Sequence, residues 1–269
     1  MVYKETNIGS AKPSANTLKK FPHHLVNIRS LKQIYSVAEF CKDSHRIIEE
    51  VHSRKKIPLF VGGSMMYFKS LLNGISQLPE RDDSYREELS FKNKQEPGYL
   101  YNLLKTRDEL YAKKIEPNDE KRIIRALEVI DKTGKLMSKH LDDKKGSGLQ
   151  EKYEVLQLGI NDENRELLHA RIENRLEVML DDGLLDEVRN IKQKYELKEG
   201  HPILRAVNYK QAFDYLDLHH DKKEFFNRAL FASRQLAKRQ VTWIRSWKNL
   251  HLFNINSQEE IERSVKNFL

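Results

Sequence analysis

The chain has 269 residues, 33% of them charged, with a formal charge of +8 and a single cysteine. That length supports one large or two modest domains. Cys41 alone excludes an internal disulfide and a cysteine-rich zinc site, and no run approaches the ~18 to 20 continuous apolar residues that span a bilayer. The opening MVYKETNIGS lacks the charged-then-apolar layout of a signal peptide, so a soluble cytoplasmic protein with no membrane partner is expected. The basic excess fits a polyanionic partner as well as an ordinary solvated surface.

Asn7-Ile8-Gly9-Ser10-Ala11-Lys12-Pro13 reads as a loop punctuated by Gly9 and Pro13, with Lys12 as an anion contact. Residues 22–28 lead into a short strand, in which the adjacent His23 and His24 face opposite ways and do not share a metal. Residues 36–53 carry Val37, Phe40, Cys41, Ile47, Ile48 and Val51 at helical spacing, opened by a capping box of Ser36 and Glu39. Cys41 is read there as a small buried thiol. Next, Ile57-Pro58-Leu59-Phe60-Val61 reads as a strand buried on both faces of a parallel sheet, Gly62-Gly63 as a sharp turn, and Ser64 as the N-cap of a helix over 65–72. Free N–H groups and the positive end of the dipole then face the carboxyl edge of the sheet, where open α/β sheets bind ligands. A capped turn without a ligand has the same signature.

Residues 79–145 are strongly charged, with helical patterns at 84–94, 99–105 and 119–133. The last has Ile123, Ile124, Leu127 and Ile130 as one apolar stripe and Gly134 as its stop. The pattern predicts a helical insertion domain over 79–149, set in an α/β core formed by 1–78 and 150–269. A flexible linker is expected over 142–148 and a strand over 153–160. An amphipathic pattern then places Leu168, Ile172, Leu176, Met179 and Leu180 on one face, breaks at Gly183, and resumes with Leu184, Leu185, Val188 and Ile191. Arg165, Arg171, Arg175 and Arg189 on its polar side are either solvated charges or a phosphate track.

Arg205 and Lys210 flank a helix start, where cations and free N–H groups can converge on an anion. On the next helix, Leu236, Gln240, Trp243, Ile244 and Trp247 are expected to face inward, with Arg234, Lys238, Arg239 and Arg245 as a cationic flank. Four fixed charges on one helix repel each other unless something anionic neutralises them, which points to a phosphate-rich partner.

Five runs of this chain, taken in order, resemble the tRNA dimethylallyltransferases across essentially its whole length. They are 7–13, Pro22-His23-His24-Leu25, 58–67 with Gly62-Gly63-Ser64, Pro117-Asn118-Asp119 with 122–126, and Arg234-Gln235-Leu236-Ala237-Lys238-Arg239-Gln240 with Thr242-Trp243. The resemblance implies a P-loop NTPase-like parallel-sheet α/β core with a helical insertion. It also implies transfer of a dimethylallyl group from dimethylallyl pyrophosphate to the exocyclic amine of the adenosine beside a tRNA anticodon. Mg²⁺ is the expected cofactor and a monomer the expected form, although the sequence leaves the oligomeric state open. It places Ser64, where the family usually has Thr, and Arg205, facing the pyrophosphate, at the reacting centre. It assigns tRNA contacts to Met1, Lys12, Ser64 and Arg86, to Arg122, Ile123, Ile124, Arg125 and Ala126, to Arg205, Ala206, Val207, Asn208, Tyr209 and Lys210, and to Lys238 and Arg239. Asn208 departs from the usual glycine before Tyr209, which leaves the local backbone path open.

Such chemistry needs a base for the amine proton, cationic donors and Mg²⁺ for the leaving group, and a target base drawn out of its stack. The family opens with a strand, a phosphate loop ending Gly-Lys-Ser/Thr, a helix, and an Asp-Ser pair that carries its presumed base. That stretch is absent from these 269 residues. The expectation is therefore an impaired transferase, with a non-catalytic tRNA-binding protein of the same descent as the alternative. A kinase on an α/β core ranks below both, because no G-x-x-x-x-G-K-[S/T] run occurs.

Overall fold

The computed structural model describes residues 1–76, 78–142, 148–162, 164–198, 200–218 and 221–269. It divides into two compact units, one formed by 1–67 with 155–269 and the other by 68–154. The linker expected over 142–148 lies, apart from its ends, outside the described residues. Among the described residues no helix is long and apolar enough to cross a membrane.

The first unit is mostly helical. Its sheet is one parallel pair, β1 (Leu158–Ile160) and β2 (His251–Phe253), with Leu158 opposite His251 and Ile160 opposite Phe253. The strand expected over 153–160 is thus confined to its last three residues. The strand expected through 22–28 reduces to a single bridge between Tyr3 and Arg29. Leu25 and Asn27 have φ of 62° and 58°, left-handed values that interrupt an extended path.

The strand expected over 57–61 is not formed either. The segment is irregular, with Ile57 64%, Leu59 84% and Val61 85% exposed. A continuous apolar run is buried as a strand only where neighbours supply the ladder, and none of the described residues pairs with this segment.

The helices follow local rules more closely. Val37–Ser53 starts with the expected capping box: the Ser36 hydroxyl accepts from Glu39 N at 3.2 Å, and the Glu39 carboxylate accepts from Ser36 N at 2.8 Å. It buries Phe40, Cys41, Ile47, Ile48 and Val51, and burial pushes the Cys41 thiol upward. Arg165–Asp181 buries Leu176 and Met179 and stops before Gly183, whose φ of 96° suits glycine. Leu184–Lys194 follows, then a 3₁₀ turn at Pro202–Arg205, and helices Tyr209–Leu218 and Lys222–Arg245. The last of these packs on both Tyr209–Leu218 and Arg165–Asp181.

Among the described residues, the regular elements of the second unit are helices. Asp83–Gln95, Tyr99–Arg107 and Glu120–Thr133 pack around Leu100, Leu104, Ile123, Leu127 and Ile130. Gly134, at φ 66°, ends the last helix as expected.

Candidate functional site

The site is organised by the helix Lys222–Arg245. At its far end the Gln240 side-chain amide donates to the Gly63 carbonyl at 3.1 Å. A Cβ built on Gly63 would stand 2.2 Å from Gln240 Nε2, so an added methyl there would push the end of the Gln240 side chain aside. Ser64 follows, exposed, with its carbonyl accepting from Tyr67 N at 2.8 Å in the first turn of Met65–Asn73. The Tyr67 ring stacks at 4.7 Å on Phe40 of Val37–Ser53.

The turn over 205–210 meets the same helix one stretch earlier. Ser233 Oγ donates to Asn208 Oδ1 at 3.2 Å, and Asn208 N donates to the Gln211 side chain at 2.9 Å. Asn208 has φ 71°, a left-handed step that asparagine is among the few residues to tolerate. Tyr209 is buried and Arg205 is exposed, with one guanidinium nitrogen donating to Gly200 O at 2.9 Å. Ala206 and Val207 are half-buried, and Lys210 is paired at 2.7 Å with Asp214 one turn along its own helix.

Residues 233 and 240 are seven apart, two turns of one helix, so they share a face, and they lie about 10 Å apart along the axis. The Gly-Gly-Ser corner and the 205–210 turn are therefore mounted on one side of one rigid element. Of the helix's cations, Arg234 is neutralised by Glu173 at 3.0 Å. Lys238, Arg239 and Arg245 are exposed, and among the described residues no carboxylate pairs with them. Gln240, Trp243, Ile244 and Trp247 turn partly inward as expected, whereas Leu236 is exposed.

Lys12, the expected anion contact, is engaged by its own loop. Its ammonium donates to Tyr3 O at 2.8 Å, Asn7 Oδ1 at 2.9 Å and Asn27 Oδ1 at 2.6 Å, so it braces its own loop. Burial lowers its pKa, opposed by the charges of Glu187 and Glu5. Met1 is exposed, and its carbonyl accepts from Asn27 N at 3.2 Å.

In the second unit, Arg86 makes a two-pronged contact with Glu128, at 2.9 and 2.7 Å, and Arg125 reaches the same carboxylate at 2.5 Å. Glu128 is fully buried. Burial by itself would raise its carboxyl, but the hydrogen bonds from Arg86, Asp82 N and Arg125 overcome this and bring it down to about 2. Ile123, Ile124 and Ala126 have their side chains in the core, so a side-chain contact with a ligand is closed to them. Of the 122–126 run, Arg122 is the open cation, loosely paired at 3.4 Å with Asp119.

Two residues of the site escape sequence reasoning. Gln240 reads only as an inward-facing polar residue of a helix, and Glu187, whose carboxylate accepts from the N–H groups of Asn7, Ile8 and Gly9, belongs to no motif. The one available signal for Glu187 was Gly9, since a glycine in a loop marks a close approach.

A family model described as IPP transferase matches residues 1–247. The tRNA dimethylallyltransferase of Francisella philomiragia is 40% identical over 270 residues, covering 100% of this chain and 87% of that protein. A solved tRNA isopentenylpyrophosphate transferase from Bacillus halodurans matches with a TM-score of 0.66 at 30% identity, over 99% of this chain and 83% of its own. A eukaryotic dimethylallyltransferase solved while acting on tRNA matches with a TM-score of 0.76 at 26% identity, over 99% of this chain and 68% of its own. With the family model matched over nearly the whole chain and a relative this similar along its full length, the protein belongs to the IPP transferase family.

Proposed function

We propose that this chain is a prenyltransferase that moves a dimethylallyl group onto tRNA, the activity for which its relatives are named. The donor in this reading is dimethylallyl pyrophosphate, and the acceptor is the exocyclic amine of the adenosine beside the anticodon. The observation that carries it is the shared helix face: Gln240 holds the Gly-Gly-Ser corner and Ser233 holds the 205–210 turn, about 10 Å apart.

At the corner, the Ser64 hydroxyl faces the reacting end of the donor. Arg205 supplies fixed positive charge to the departing pyrophosphate, where a preplaced donor is worth most. Lys238, Arg239 and Arg122 contact RNA phosphates directly, while Lys12 braces the 7–12 loop and Arg86 and Arg125 brace the second unit through Glu128. Among the described residues no three His, Cys, Asp or Glu side chains gather as a metal site. If Mg²⁺ were bound, the exposed Ser64 hydroxyl is the corner's side-chain oxygen that would help hold it, and the ion would supply charge neutralisation for the leaving group. The parallel β1–β2 pair supports an α/β core, for which a P-loop-like arrangement is proposed, and a cytoplasmic monomer accords with a tRNA substrate.

The test is transfer of labelled dimethylallyl to tRNA by the wild-type chain and by Gly63→Ala. The added methyl displaces only the flexible end of Gln240, so the fold should persist while the corner loosens. Product from the wild type, with at least a tenfold slower rate in the variant and unchanged tRNA affinity, is expected. No product from the wild type, or an undiminished rate in Gly63→Ala, would contradict the reading.

A further inference from the structure

Glu187 gathers more hydrogen bonds than any role assigned so far uses. One carboxylate oxygen accepts from Asn7 N at 2.8 Å and Ile8 N at 2.9 Å. The other accepts from Gly9 N at 3.2 Å and from the Tyr209 hydroxyl at 2.7 Å. Three successive backbone N–H groups converging on one anion form a nest, a concave positive site made by the main chain itself. Here the anion is a side chain reaching in from the helix Leu184–Lys194.

The packing beneath it is equally committed. A Cβ on Gly9 would lie 2.7 and 2.8 Å from atoms of the Tyr209 ring and 2.9 Å from Leu184 Cδ1, so the loop lies flat on the residue that follows Asn208. Tyr209 is 2% exposed, and burial and then the Glu187 bond push its hydroxyl upward, keeping it a neutral donor. The loop is stiffened from within by Lys12, bonded to Tyr3, Asn7 and Asn27. One carboxylate thus ties the 7–12 loop to the 205–210 turn, the part of the site that carries Arg205.

We infer that Glu187 is a positioning residue for the transfer reaction, fixing the 7–12 loop and the Arg205–Tyr209 turn as a single body. The inference rests on the reading that this site performs the transfer. Glu187 acts through the nest and through Tyr209. Its loss should slow turnover while leaving the exposed phosphate contacts of Lys238 and Arg239 in place.

The experiment compares the full chain with Glu187→Gln and Tyr209→Phe. Glu187→Gln keeps the shape but turns an NH₂ toward N–H donors. Tyr209→Phe removes one hydroxyl and leaves the ring on Gly9. For Glu187→Gln, kcat should fall about tenfold or more with tRNA affinity within about twofold, and Tyr209→Phe should give a smaller loss of the same kind. The double variant should be no slower than Glu187→Gln alone, since both act through one bonded unit. Hydrogen exchange supplies a second readout: in Glu187→Gln the amides of 7–9 and of 205–210 should lose protection together, while 222–245 keeps its own.

A kcat within twofold of wild type, additive losses, or tRNA affinity falling in step with kcat would overturn the inference. So would exchange that rises in the 7–9 loop alone. An inactive wild type would sink the transfer reading, while the exchange comparison would still decide whether Glu187 couples the two segments.

Discussion

The cations of the two units differ in what surrounds them. In the second unit Arg86 and Arg125 converge on one fully buried carboxylate, Glu128, and their charges are spent on holding helices together. On the long helix of the first unit Lys238 and Arg239 point outward, and no described carboxylate answers them. The resemblance assigns tRNA contacts to Arg86 and Arg125 as it does to Lys238 and Arg239, and in sequence they read alike. The acid partner separates them: a buried carboxylate makes an arginine part of the fold, while its absence leaves a charge available to phosphate.

The largest expected effect comes from removing that acid. Glu128→Gln leaves two guanidinium groups without their counter-charge, and breaking such a buried pair costs about 3 kcal/mol or more. Amide exchange along Glu120–Thr133 should then speed up about a hundredfold. Unchanged protection would show that the network is ornamental. Acid should act on the same group. Its carboxyl titrates at about 2 in the folded chain against 4.5 unfolded, so its contribution of about 3 kcal/mol is intact above pH 4.5 and lost as pH falls toward 2. In Glu128→Gln the protection of this helix should lose that acid dependence.

A smaller effect is expected at His201. It is buried, accepts from Ile203 N at 3.2 Å through Nδ1, and its ring lies tilted against that of Tyr3 with centres 5.5 Å apart. Burial lowers its pKa below 6.5, opposed by the hydrogen bond to Gln33 O and aided by the Arg205 charge. The unfolded chain binds this proton more readily, so stability is full above pH 6.5 and declines as pH falls through that value. A melting temperature that drops between pH 7.5 and 5.5 in the wild type, and drops less in His201→Gln, would bear this out. Parallel curves would not.

What could be read from the sequence divides along the same line as these contacts. The capping box at Ser36 and Glu39, the stripe from Ile123 to Ile130 and the stop at Gly134 depend on residues within a few positions of one another, and they form as expected. The 57–61 strand needs a neighbour that the pattern cannot name, and its apolar side chains stand in the open. Of the site, the Gly-Gly-Ser corner and the 205–210 turn were legible as motifs. Lys12 was legible as a position but not as a brace, because its acceptors, Tyr3 O and Asn27 Oδ1, are chosen by the fold of the loop. Glu187 was not legible, because its partners lie about 180 residues away.

The smallest expected change in stability belongs to the outward cations. Lys238→Ala and Arg239→Ala should shift stability by no more than about 0.5 kcal/mol. Their effect should appear in binding, and the salt dependence of tRNA affinity tests the central claim most directly. Each of these two substitutions should reduce the slope of log affinity against log salt by about one, and Arg86→Gln, measured below its melting temperature, should leave the slope unchanged. A slope reduced by Arg86→Gln but not by Lys238→Ala or Arg239→Ala would contradict the division between cations that hold the fold and cations that meet the RNA.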